Sequence, residues 1–131
     1  MKTTFYSAIA LMTLVLSACA ASLETLELRA EYARTIPTCS NDQNCQDKWA
    51  IARAWVVKNS DFAIRSESET RIMSTSNIIS QSGLGVTVDR SPLEGGNYQI
   101  TVSVDCFSAY GCPDTLETMV DFNRTLNAAQ P

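Results

Sequence analysis

The stretch "NYQITVSVDC", residues 97–106, alternates without a break. Tyr98, Ile100, Val102, Val104 and Cys106 fall on one side, and Asn97, Gln99, Thr101, Ser103 and Asp105 on the other. Successive side chains of an extended chain point to opposite faces, so this pattern predicts a strand with one buried, apolar face and one wet, polar face. A strand of that kind belongs to an antiparallel sheet covered on one side, which places the chain among two-layer α+β domains.

Reading outward from this strand, "SPLEGG" (91–96) is a Pro/Gly turn, and "LGVTVDR" (84–90) before it supplies a second strand. "TRIMST" (70–75) predicts a third. The fourth is the segment in which Phe62, Ile64 and Ser66 alternate with Ala63 and Arg65, separated from the third by an acidic turn at Glu67 and Glu69. Helices bracket the strands. "NCQDKWAIARAWVVKN" (44–59) lacks Gly and Pro and puts Cys45, Trp49, Ala52 and Val56 on one face, widened by Ile51 and Trp55. Asn41, Asp42 or Asn44 can cap its start, and Asn59 can end it. Both tryptophans read as core, with a ligand platform as the alternative. In "PDTLETMVDFNRTLN" (113–127), Asp114 and Glu117 have capping-box spacing, and Leu116, Met119, Val120 and Phe122 or Leu126 supply the apolar side. The expected fold is a four-stranded antiparallel sheet with helices packed on one face, in the order helix, four strands, helix.

The amino terminus is of another kind. Lys2, a nine-residue apolar core from Ala8 to Leu16 and the small residues Ser17 and Ala18 have the form of an export signal, because a bilayer span needs ~20 residues. The order Leu16, Ser17, Ala18, Cys19 resembles the lipobox of bacterial lipoproteins. That resemblance implies cleavage before Cys19, acylation of its sulfur and anchorage to a membrane through the lipid. Ordinary cleavage at the small residues Ala18-Cys19-Ala20 is the competing reading. In the lipoprotein family an Asp after the cysteine favours inner-membrane retention, so Ala20 implies the periplasm-facing side of the outer membrane. The expected division is a signal peptide at 1–18, a tether at 19–38 and one domain at 39–131.

Residues 20–38, "AASLETLELRAEYARTIPT", stay open between tether, short helix and edge strand. Leu26, Leu28, Ala30 and Tyr32 alternate, yet Leu, Glu, Arg and Ala are good helix formers. Fully extended, this segment would hold the domain up to roughly 65 Å from the membrane.

Cys19 aside, the cysteines form two pairs of equal spacing, "CSNDQNC" (39–45) and "CFSAYGC" (106–112). An even count in an exported chain reads as a disulfide framework. Of three connectivities, Cys39–Cys45 with Cys106–Cys112 is favoured, since each bond closes a short polar or Gly-containing loop. A four-thiolate metal site is the competitor, but zinc sites usually use C-x₂₋₄-C spacing and thiols oxidise outside the cytoplasm.

The chain contains no histidine, which excludes Ser-His-Asp and Cys-His nucleophile pairs and HExxH zinc sites. Gly83-Leu84-Gly85 falls short of a phosphate-binding loop. With Lys2 removed, the nine remaining basic residues stand against fourteen acidic ones, a net charge of −5 with no basic run, which argues against nucleic acid as a partner. Asp114, Glu117 and Asp121 share a helix face that Asp105 could approach, but acids also collect at helix starts because the dipole favours them. No cofactor or metal is expected, and no enzyme.

The loop "FSAYGCP" (107–113) is the candidate surface. A small disulfide ring gives Phe107 and Tyr110 little reach into a core, and a rigid aromatic loses little entropy on docking. Packing over the sheet edge is the alternative. The spread of C-x₅-C, "W..A..WV" and "FSAYGCP" over residues 44–127 also resembles small lipoproteins of Gram-negative bacteria. The run "VVKNSDFAIRSESETRIMST" (56–75) resembles helix-grip domains of envelope lipoproteins. Neither resemblance carries catalytic residues, and fold does not supply function. The lipid anchor, the polar sheet face and the lack of catalytic groups fit a binding or scaffold module that contacts another envelope protein, or else, with the acidic surface as a substrate mimic, an immunity or inhibitor lipoprotein against a periplasmic toxin or hydrolase.

Overall fold

The computed structural model describes residues 21–75 and 82–129. The leader and Cys19 with its expected lipidation lie outside the described residues. Among those described, three helices accompany a five-stranded antiparallel sheet. The elements are α1 (Leu23–Arg34), β1 (Thr38–Cys39), α2 (Asp42–Asn59), β2 (Ser66–Glu67), β3 (Arg71–Ser74), β4 (Leu84–Pro92), β5 (Tyr98–Cys106) and α3 (Thr115–Ala128). The strand order is β1-β5-β4-β3-β2, with every neighbouring pair antiparallel.

The β4–β5 hairpin is the centre of the sheet, and its register pairs Val86 with Val104, Val88 with Val102 and Arg90 with Ile100. All of these face the helices, and the five apolar ones are buried together with Ile72 of β3. Alternation therefore does what the sequence pattern predicts. On the opposite face, Thr87, Asp89, Thr101 and Ser103 are at least partly exposed. Helices α2 and α3 cover the inward face with Ala52, Trp55, Val56, Val120, Phe122 and Leu126. Trp55 meets Phe122 edge-on at 5.1 Å between centroids, and its indole N–H donates to Asp121 Oδ2 at 2.9 Å. A buried indole thus keeps its hydrogen bond.

Capping fixes both core helices. The Asn41 side chain accepts the Asn44 amide at the start of α2, and Asp114 Oδ1 accepts from Leu116 and Glu117 at the start of α3.

Two expectations need correction. The sheet has five strands rather than four, because Thr38–Cys39 pairs with Gln99 and Tyr98 at the free edge of β5. The strand beside β3 is Ser66–Glu67, so of the expected Phe62–Ser66 only the last residue belongs to it, and Glu67, expected in the turn, is paired with Ile72. The backbone just before this strand is engaged elsewhere: Phe62 donates its amide to Ser60 Oγ and accepts from Ser74 Oγ, while Leu84 N donates to Asp61 Oδ2. Asp61 crowds the site of Gly83, where an added Cβ would lie 2.5 Å from Asp61 Cβ and where φ is +141°, so glycine is required there.

In the stretch before Cys39, left open between tether, short helix and edge strand, the structure has the helix. Residues 23–34 form a helix docked on α3, so the extended 65 Å reach is not available. No residue of α1 is fully buried, and side-chain hydrogen bonds supply much of its attachment. Arg124 makes a bidentate pair with Glu31 at 2.7 and 2.8 Å, and Asn123 donates to Tyr32 O and Thr35 Oγ1. Asn127 donates to Thr35 O, and the Tyr32 hydroxyl donates to Val102 O at 3.0 Å.

Three of these groups titrate away from their ordinary values, Arg124 among them, raised by its hydrogen bond to Glu31. The Arg124 hydrogen bond holds Glu31 below 4.5, and burial pushes Tyr32 above 10.0. A carboxyl lowered in the fold stabilises fully above its ordinary value and loses that contribution as pH falls through the lowered one. A phenol raised in the fold stabilises fully below 10.0 and loses it as pH rises through the raised value. Stability is therefore expected to fall below about pH 4 and above about pH 10. Tyr32→Phe should flatten the alkaline limb alone, as read by thermal melts across pH.

Candidate functional site

Two surfaces present side chains whose placement the core does not need. The first is the loop between β5 and α3. Cys106 and Cys112 are joined, with Cα atoms 5.9 Å apart, and Cys39 and Cys45 are joined at 5.0 Å, so the favoured pairing is the one observed. All four sulfurs are thereby withdrawn from metal ligation.

The ring separates its two aromatic residues. Phe107 donates its amide to Gly83 O, lays its ring over Gly85 and meets Phe62 edge-on at 5.8 Å. A Cβ at position 85 would lie 2.6 Å from the Phe107 ring, so the glycine makes room for it. Phe107 is 40% exposed and is held by packing, whereas Tyr110 is 100% exposed. Tyr110 stands at the tip of the ring, where Ser108 Oγ accepts its amide and Gly111 turns the chain at φ +93°. Of the two candidate binding residues, Tyr110 is a free anchor and Phe107 is its support.

The second surface was missed in the sequence. An open cleft of about 300 Å³ lies between the start of α2 and the hairpin. It is bounded by Asp42, Gln46 and Trp49 of α2, Glu69 of the β2–β3 turn, Arg90 of β4 and Tyr98 of β5. The Arg90 guanidinium carbon lies 4.9 Å from the Tyr98 ring centroid and 5.8 Å from that of Trp49, a cation held by two π faces. Arg90 Nε is buried without a hydrogen-bond partner, and none of the three ion pairs among the described residues includes Arg90. Trp49 donates to Ser68 O at 3.3 Å and stays half-buried, so the two tryptophans divide: Trp55 is core and Trp49 is cleft wall. The available signal was Arg90 itself. In β4 it shares its parity with Val86 and Val88, and a charge on the inward side of a strand calls for a compensating partner.

The row of acids on α3 is largely structural. Asp114 caps the helix and Asp121 accepts from Trp55. Among the described residues, no group of three or more His, Cys, Asp or Glu could hold a metal, and no helix is long and apolar enough to cross a membrane.

Fold and surfaces together define a disulfide-stapled α+β domain with an aromatic loop tip and an arginine-floored cleft. No protein family, curated protein or solved structure matches the chain.

Proposed function

We propose that this protein is a lipid-anchored binding module of the bacterial envelope, attached through Cys19 to the periplasmic side of the outer membrane and contacting another envelope protein through the loop closed by Cys106–Cys112. The observation that carries this reading is Tyr110. A fully exposed tyrosine on a cross-linked loop, backed by the packed Phe107, has the form of a binding anchor: large area, an amphipathic ring and little conformational freedom left to lose. The disulfides fit an oxidising compartment.

With α1 docked, at most roughly 14 Å of chain separates Cys19 from Leu23, so the lipid would hold the domain against the bilayer rather than at the end of a long leash.

In-cell photo-crosslinking from position 110, with adducts identified by mass spectrometry, tests the reading. One abundant protein adduct is expected, and a toxin or hydrolase as that adduct would make the module an inhibitor. Tyr110→Ala should weaken capture of that partner at least tenfold, equivalent to ~1.4 kcal/mol or more, while leaving stability within about 0.5 kcal/mol. An intact fold with no adduct at this position would remove the loop as the interface.

A further inference from the structure

We propose that the Arg90 cleft binds a small zwitterion, a free α-amino acid, with its carboxylate on the Arg90 guanidinium and its ammonium group facing Asp42 and Glu69. This site is separate from the stapled loop and does not depend on the lipid anchor.

Among the described residues the buried Arg90 Nε meets no acceptor, although a guanidinium carries five N–H donors and buried charges are ordinarily paired. Tyr98 and Trp49 hold the plane of the group through their π faces, and π faces satisfy none of its in-plane N–H donors in the way an oxygen would. A planar fork with free N–H edges matches a carboxylate, which takes two parallel hydrogen bonds.

The rim then narrows the class of ligand. Asp42 and Glu69 line the same cleft, so it holds one positive group and two negative ones. A simple anion would be repelled by the two carboxylates, and a simple cation would leave the guanidinium unmet. A molecule bearing both charges satisfies both sets.

Size and stiffness agree with this. A cleft of about 300 Å³ lies at the small end of ligand sites, which suits one residue rather than a chain. Trp49 and Tyr98 offer apolar surface to a side chain. Cys45, on the same wall, is tied to Cys39, and this bond fixes the first turn of α2 against β1. A wall already held in place loses little freedom on binding.

Leucine is the probe, titrated into the purified protein by calorimetry and followed by tryptophan fluorescence, since Trp49 lies at the cleft. Saturable binding with a Kd of about 1 mM or tighter is expected. N-acetylleucine, which lacks the ammonium group, and leucinamide, which lacks the carboxylate, should each bind at least tenfold more weakly. Arg90→Gln should abolish leucine binding and Arg90→Lys should restore only part of it. If Arg90→Gln fails to fold, Glu69→Gln on the exposed turn takes its place and should weaken leucine at least threefold. No saturable response to leucine overturns the proposal. So does N-acetylleucine or leucinamide binding as tightly as leucine, or leucine affinity unchanged in a folded cleft variant.

Discussion

Phe122→Ala is expected to lower the stability of the domain by about 3–5 kcal/mol. The side chain is 0% exposed, it fills the layer between α3 and the rest of the core, and its ring meets Trp55 edge-on. Truncation removes the apolar area and leaves a cavity that rigid neighbours close only in part. Against a typical total of 5–15 kcal/mol this is a large fraction, and the melting temperature should drop by roughly 15 °C or more. Trp55 provides a local reading as well. Its indole N–H is held by Asp121 one residue before Phe122, so loss of the ring should redden and broaden Trp55 emission even in the folded fraction. Phe122→Leu, which refills most of the volume, should recover more than half of the loss. If Phe122→Ala melted within a few degrees of the wild type, the α2–α3 layer would not be the core.

The parts of this fold that were legible in the sequence are those whose signal is local. The strand 98–106 declares itself because every second residue is apolar, and β4 and α2 follow from patterns of their own period. The two disulfides were legible because each closes a loop between cysteines six residues apart. What stayed hidden depends on partners distant in the chain. β1 is two residues long and exists because β5 offers a free edge. α1 gives no clear apolar stripe because hydrogen bonds to Arg124, Asn123 and Val102 carry much of its docking, and polar contacts leave no period.

The same reason divides the surfaces. Phe107 and Tyr110 were found because they lie inside one disulfide ring. The cleft joins Asp42, Trp49, Glu69, Arg90 and Tyr98, and only the sheet register and the seating of α2 bring them together.

Removing the two disulfides separately should produce unlike proteins, although each closes a loop of the same length. The chain-entropy contribution is about 2 kcal/mol for either. Cys39 and Cys45 are also core residues at 2% and 3% exposure, and their bond ties the edge strand β1 to the first turn of α2. Cys39→Ala with Cys45→Ala is therefore expected to cost about 3–4 kcal/mol, adding lost packing to lost constraint. It should also release β1 and uncover the edge of β5, where unpaired backbone groups template association, so sedimentation should show concentration-dependent oligomers. Cys106→Ala with Cys112→Ala acts on a ring at the rim of the core, where Cys106 is exposed and Cys112 only half-buried, so its cost should stay near 2 kcal/mol and its sedimentation should match that of the wild type. The functional consequences cross over. The first pair of substitutions loosens the wall that carries Trp49 and Asp42, and should weaken leucine while sparing contacts made by Tyr110. The second leaves the cleft intact and frees Tyr110 from its ring, so partner capture should fall although the tyrosine is unchanged. Equal losses at both surfaces in both variants would mean that the disulfides act only through global stability. A crossed pattern would mean that each one stiffens its own binding surface.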